Sequence, residues 1–212
     1  ISTAVTRGLD DTVAMKDSGV EWLGEIPEHW EATKIKFYAR IKGRIGFRGY
    51  TKEDLVTKDE GALVLGASEM NNNAQIVLQN PQYISWHKYY ESPEIILKKD
   101  DILFVQRGST VGKVAYIDYE IDEATINPSL VVLKQIQLES VYLKYFLVSD
   151  IIQSTVNVER SNTAIPMISQ EQIGNYILTK PPKKEQHTIA NYLDDKTSKI
   201  DNLITKSTKA ID

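Results

Sequence analysis

The chain has 212 residues, is 42% hydrophobic and 25% charged, carries a net charge of −4 and contains no cysteine. This length supports one buried domain with an appendage, and the composition is that of a soluble globular protein. Disulfide frameworks and thiolate zinc sites are excluded, which fits a reducing cytoplasm. No apolar run approaches the ~20 residues of a membrane span, and no signal-peptide pattern is present.

Residues 1–19 read as an arm outside the core, with Gly8 stopping a short helical turn after Val5. The stretch Asp17 to Glu31 is too rich in turn formers for a helix, so it is expected to wrap the domain with Trp22 and Trp30 as anchors. Lys34 to Ile41 alternates like a strand. It runs into the glycine-spaced basic loop GRIGFRGY, and Thr51 to Asp54 has the spacing of a capping box. Ala62 to Gly66, Ile76 to Leu78 and Tyr83 to Trp86 read as short strands, with Ala67 to Asn73 as a polar loop.

The centre of the pattern is Leu97 to Asp118. Two apolar strands, Ile102 to Val105 and Val114 to Ile117, flank the cationic, hydroxyl-rich loop Gln106 to Lys113. Leu130 to Leu133 is a further strand. Ser140 is placed to cap a helix through about Val156, followed by a polar loop over Val158 to Ala164. Ser169 and Gln172 form a second capping box, Tyr176 to Leu178 a last strand, and Lys183 onward one long helix. Ile189, Leu193, Ile200, Leu203 and Ile204 give that helix a thin seam of near-heptad spacing.

Charge is unevenly spread. Between Glu31 and Tyr50 stand six cations (Lys34, Lys36, Arg40, Lys42, Arg44 and Arg48) against one acid. Such a zone suits a phosphate backbone on one face, and equally a solvated surface. The segment Gly108 to Val114 is one residue short of a phosphate-binding loop, and Val114 stands where a magnesium-ligating hydroxyl is required. Asn127-Pro128-Ser129-Leu130 lacks the aromatic that an amino-methyltransferase stacks on a flipped base. His29, His87 and His187 are scattered, with no metal-ligand spacing. Asp100-Asp101 and Asp194-Asp195 point apart, so they are unsuited to joint acid–base work. The chain reads as non-catalytic.

Three blocks together resemble one family: DSGVEWLGEIPEHWE, LKKDDILFVQRGSTVGKVAYI, and PMISQEQIGNYILTKPPKKEQHTIANYLDDKTSKID. They are similar to specificity subunits of bacterial type I restriction-modification enzymes. The resemblance implies a cytoplasmic bacterial protein in which each of two target-recognition domains reads half of a bipartite duplex DNA target. Long helices joining those domains pair as a coiled coil and dock two methyltransferase subunits, with restriction/translocase subunits beyond. S-adenosylmethionine, ATP and magnesium fall to those partners, so no cofactor is expected here.

The same likeness divides the chain into the end of a central helix and arm (1–19), a target-recognition domain (20–182) and the start of a distal helix (183–212). The opening ISTAVTRGLDDTVAMKDSGVEW resembles the exit from the central helix into a second recognition domain, and IDNLITKSTKAID resembles the beginning of the distal helix. The resemblance therefore implies a second-domain piece, with a naturally dimerising half-subunit as the alternative. The expected fold is mixed α/β (α+β), a bent, mostly antiparallel sheet with short helices and one long terminal helix.

Base reading needs donors and acceptors on rigid loops, plus cations for phosphates. The candidates are Lys42, Arg44, Arg48, Ser68, Asn71, Asn72, Asn73, Arg107, Ser109, Thr110, Lys113, Arg160, Asn162 and Thr163. At each position a turn or an ion pair explains the residue equally well. Ile189, Leu193, Ile200, Leu203 and Ile204 are the coiled-coil candidates, or pack a terminal helix on its own domain. A different class of function is also open: a protein-interaction module whose basic loops bind an acidic partner.

Overall fold

The computed structural model describes residues 1–160 and 166–209. The chain opens with α1 (Ser2–Arg7), β1 (Met15–Asp17), β2 (Glu25–Pro27) and β3 (Glu31–Lys34). A 3-10 turn at Ile35–Phe37 leads to β4 (Arg40–Gly43), β5 (Leu55–Val56), β6 (Gly61–Leu65), β7 (Gln82–Ser85) and the short α2 (Trp86–Tyr90). The hairpin of β8 (Ile102–Val105) and β9 (Val114–Tyr116) precedes β10 (Ala124–Ile126) and β11 (Leu130–Lys134). Then follow α3 (Ser140–Val148), α4 (Asp150–Arg160), α5 (Gln170–Asn175), β12 (Ile177–Lys180) and the long α6 (Lys183–Lys209).

An antiparallel sheet in the order β4-β11-β8-β9 lies at the centre. Strand alternation sends Ile102, Phe104, Val131 and Leu133 to one face. Leu103, Val105, Leu130 and Val132 go to the other. Both faces are covered, which is why ILFV and LVVL are unbroken apolar runs rather than alternating ones. The first face packs beneath the helices through Val5, Tyr142, Phe146, Ile152, Ile173, Ile189 and Leu193. The second meets Leu65, Ala124 and Ile126 of another sheet, ordered β10-β6-β7-β5.

In that second sheet β6 and β10 are parallel, and the other pairs are antiparallel. Its outer face is closed by Tyr89 of α2 against Ala62, Val64 and Ile84. Gly61 is obligatory there: an added Cβ would fall 2.0 Å from the Ile84 carbonyl oxygen. Two smaller antiparallel pairs, β1-β2 and β3-β12, flank the centre. The mixed α/β class, the mostly antiparallel pairing and the long terminal helix agree with the sequence reading.

Several local expectations are corrected. The strand expected at Lys34 to Ile41 is broken at Ile35–Phe37, where Ile35 turns into the core and is fully buried. Ile76 to Leu78 form no strand, only a bridge from Ile76 to Met70. The helix expected from Ser140 through Val156 is two helices: the Ser149 N–H and hydroxyl both donate to the Phe146 carbonyl and end the first. Glu139, not Ser140, holds the cap position of that helix. The polar loop begins later than expected, because α4 runs to Arg160.

The arm is not wholly outside the core. Ala4 and Val5 are buried, and the Val5 carbonyl receives the hydroxyls of Tyr142 and Thr179. Trp30 is an anchor as expected, fully buried with its indole N–H on Glu185 at 2.9 Å. Trp22 is not, being 47% exposed. Both capping boxes form: the Asp54 carboxylate accepts from the Thr51 N–H at 2.7 Å, and Ser169 Oγ accepts from the Gln172 N–H at 3.1 Å.

Candidate nucleic-acid interface

The antiparallel register fixes where loops gather. Gly43 and Phe104 lie opposite Val131, and Val105 opposite Leu130. The C-terminal ends of β4 and β8 therefore meet the N-terminal end of β11 at one end of the central sheet. Residues 44–50, 106–113 and 127–129 emerge there side by side. The N–H groups of Gln106 and Arg107 both donate to the Ser129 carbonyl, at 2.9 and 3.2 Å. A fourth segment joins through an Arg107–Met167 bridge, and through the Gly108 N–H donating to Pro166 at 3.0 Å. A fifth enters because β6 is parallel to β10: Gly66 backs onto Asn127, which brings Ser68 to the same end.

The loop 106–113 is held rather than slack. Gly112 sits at φ +94°, and an added Cβ would fall 2.6 Å from Val156 Cγ1 of α4. Gln153 Nε2 of the same helix donates to the Gly112 carbonyl at 3.0 Å. Arg107, Ser109 and Thr110 are exposed at the tip, with Val111 turned into the core. The Arg107 guanidinium has only a 3.3 Å contact to Met167 Sδ among the described residues. Its donors, the two hydroxyls and the half-buried Lys113 make a compact group of hydrogen-bond donors and positive charge.

Arg44 does not join that group. It is only 7% exposed, and its guanidinium donates to the Ile126 carbonyl at 3.3 Å and Thr125 Oγ1 at 3.2 Å while lying over the Tyr50 ring. Burial lowers its pKa, as it does for any cation withdrawn from water. Arg44 is a strut between the two sheets, and a duplex cannot reach it. Arg48 is part-buried and paired with Glu94 at 3.4 Å. Ser68 is exposed, with its hydroxyl on Glu69 at 2.8 Å.

Asn71, Asn72 and Asn73 lie elsewhere. Their turn folds over the β8-β9 hairpin, where the Tyr116 N–H donates to the Ala74 carbonyl at 2.9 Å, at the opposite end of the sheet from Arg107. Asn71 Oδ1 accepts the N–H groups of Asn73 and Gln75, both at 2.9 Å, and so shapes its own turn. Asn73 is exposed, with its side-chain amide hydrogen-bonded to Asp201 of α6. Arg160 ends α4 and is half-buried. Asn162 and Thr163 lie outside the described residues.

Lys42 is exposed on the edge strand β4. The sequence reading grouped it with Arg40 but missed Lys98 and Lys134. Arg40, Lys42, Lys98 and Lys134, with Glu94 and Gln135, line a groove of about 560 Å³. Lys134 is bound there by Asp101 at 2.8 Å. Arg40 and Lys42 alternate on one strand face, a period-2 signal visible in the sequence, but Lys98 and Lys134 arrive from other elements. No group of three or more His, Asp or Glu among the described residues is placed to hold a metal.

The helix α6 divides its seam. Ile189 and Leu193 are 2% and 3% exposed and belong to the domain's own core. They are therefore not free to form a coiled-coil seam. Ile200, Leu203 and Ile204 are 54%, 64% and 60% exposed. No helix among the described residues is long and apolar enough to cross a membrane.

The family model for the type I restriction modification DNA specificity domain matches residues 27–211. The chain belongs to that family. Solved structures share the fold of this specificity domain. The "HsdS subunit from Thermoanaerobacter tengcongensis" matches at TM-score 0.66 and 17% identity, over 91% of this chain and 42% of that one. A structure described by "complex assembly" and "conformational transition of the type I R-M system" matches at TM-score 0.65 and 18% identity, over 87% and 42%. The "Type-I restriction-modification system S subunit from M. genitalium" matches at TM-score 0.51 and 14% identity, over 85% and 43%. The specificity domain thus spans less than half the length of these chains. Comparison with curated proteins gives no match.

Proposed function

We propose that the chain reads one half of a bipartite DNA target and so directs the methyltransferase and restriction subunits of a type I restriction-modification complex. The observation that carries this reading is the convergence of five segments at one end of a doubly covered sheet, with Arg107, Ser109 and Thr110 exposed at the tip. A guanidinium on a rigid loop can grip the O6 and N7 acceptors of guanine bidentately, and hydroxyls serve either base edges or phosphates. Lys42 and Lys113 supply sequence-independent attraction to the backbone. Residues 20–182 form the recognition domain in this proposal. The distal part of α6, through Ile200, Leu203 and Ile204, pairs with a further helix of the specificity subunit, beside two docked methyltransferase subunits. S-adenosylmethionine, ATP and magnesium act on those partners in the bacterial cytoplasm.

The deciding experiment grafts residues 20–182 into an intact specificity subunit and maps methylated sites genome-wide. One half of the recognised sequence changes with the graft if the domain reads DNA. An unchanged pattern from an assembled complex refutes the reading. Binding to the mapped duplex weakens steeply with salt, because phosphate contacts release counterions.

A further inference from the structure

Phe47 is the most exposed large apolar side chain among the described residues, at 82%, and Ile45 beside it is 41% exposed. A phenyl ring left in water forgoes roughly 2 kcal/mol of burial, yet this ring is carried on a closed turn. The Arg48 N–H donates to the Ile45 carbonyl at 2.9 Å, and the Gly49 N–H to Gly46 at 3.1 Å. The turn is braced from below on both sides. Buried Arg44 donates to the Arg48 carbonyl at 3.4 Å, and the Arg48 side chain is tied to Glu94. The preceding strand ends at Gly43, where an added Cβ would meet Gln170 Nε2 at 2.9 Å, Val131 Cγ1 at 3.1 Å and Gln106 Nε2 at 3.4 Å. This apolar tip therefore stands at the same end of the sheet as Arg107.

Its surroundings select the occupant. From Ala32 through Lys52 the chain holds no acidic residue, and Lys42 is exposed just before the tip. The Arg48 guanidinium lies 5.5 Å from the Phe47 ring centre. One ring and one neighbouring Ile within a cationic rim make too small an apolar area for a typical protein-docking patch. They have the form of a wedge that enters a stack of bases while exposed Lys42 holds a flanking phosphate, Arg48 being engaged by Glu94.

We propose that Phe47, supported by Ile45, inserts at one base step of the duplex and selects sequence there by how readily that step unstacks. Pyrimidine–purine steps open most easily, so the wedge favours such a step without contacting base edges. The inference rests on the DNA-reading function proposed above and names a specificity-determining residue within it.

The test uses the intact specificity subunit with its methyltransferase partners and the duplex target mapped as above, carrying 2-aminopurine at successive positions. Phe47→Ala is expected to weaken target binding roughly tenfold to a hundredfold, the scale of one lost base–aromatic stack. It is also expected to abolish the fluorescence rise at one step and leave the salt slope unchanged, since no phosphate contact is lost. Phe47→Leu retains part of both signals. Arg107→Ala serves as the control that lowers binding by another route.

If Phe47→Ala binds and fluoresces like the parent while Arg107→Ala is impaired, the wedge is refuted and the DNA-reading function stands. If neither substitution changes DNA binding, both fall. Loss of a methyltransferase subunit with duplex binding intact assigns the tip to protein docking and overturns the proposal.

Discussion

Asn73 Nδ2 donates to Asp201 Oδ2 of α6 at 3.1 Å, across 128 positions of sequence. Nearby, the Tyr145 hydroxyl donates to Asp194 Oδ1 at 2.6 Å, and Lys144 pairs with the same oxygen at 3.1 Å. These contacts hold the helix to the domain beyond Leu193, where the apolar packing ends. The asparagine turn therefore steadies the direction in which α6 leaves the domain. Asn73→Ala should leave the recognised sequence unchanged and speed amide exchange in α6 near Asp201, with local opening easier by roughly 0.5 kcal/mol. Hydrogen exchange with a parallel methylation map checks both halves. An altered half-site would instead return Asn73 to the DNA-reading surface.

Arg44 and Arg107 should separate stability from binding. Truncating Arg44 empties a buried site and leaves several acceptors without a donor, which costs about 2–3 kcal/mol. Truncating exposed Arg107 should change stability by no more than about 0.5 kcal/mol, while weakening DNA binding. Urea midpoints of the two variants, set beside duplex titrations, make the comparison. Equal midpoints would overturn the strut assignment of Arg44.

The contrast between those arginines shows where the sequence is silent. The β8-β9 hairpin is legible because a polar turn and glycines bound two apolar runs, and the capping boxes are legible because both partners lie within four residues. The parallel β6-β10 pair joins segments about 60 residues apart, and local pattern carries no trace of it. Tyr89 closes a sheet from a helix that opens at Trp86, the last residue of the strand expected over Tyr83 to Trp86. Arg44 and Arg48 share a basic loop and a glycine spacing. Only the second sheet, packed beneath the first, decides that one is buried. The asparagines differ: their composition suits adenine or a turn, local bonds to Asn71 Oδ1 close the turn, and only the fold places that turn beside α6.

Asp101 and Lys134 form an ion pair with side chains 7% and 15% exposed. Desolvation outweighs the attraction of Lys134 and raises the Asp101 pKa above 3.8. A raised native pKa means that the folded state binds this proton more tightly. The stabilisation it brings is full below 3.8 and is lost as pH rises through the native value. The stability advantage of the parent over Asp101→Asn should therefore shrink from acid to neutral pH, as read by urea unfolding across that range. At neutral pH, Lys134→Met alone should cost about 3 kcal/mol by stranding the carboxylate. The paired Asp101→Leu/Lys134→Met change should cost much less.

Leu193 and Leu203 stand ten positions apart on α6, in opposite situations. Leu193 is packed in the core at 3% exposure, so Leu193→Ala should lower domain stability by about 2–4 kcal/mol through a lost side chain and a residual cavity. Leu203, with Ile200 and Ile204, packs on nothing comparable. Replacing all three by Ser should leave the domain's unfolding free energy, read from urea titration, within about 0.5 kcal/mol of the parent. The same triple change, made in the intact specificity subunit, should destabilise the coiled coil proposed for this part of the helix and reduce methyltransferase assembly. Size-exclusion chromatography with light scattering measures the complex, and circular dichroism at 222 nm follows the helix. A triple variant that assembles at full stoichiometry and melts like the parent would remove the distal helix from the interface.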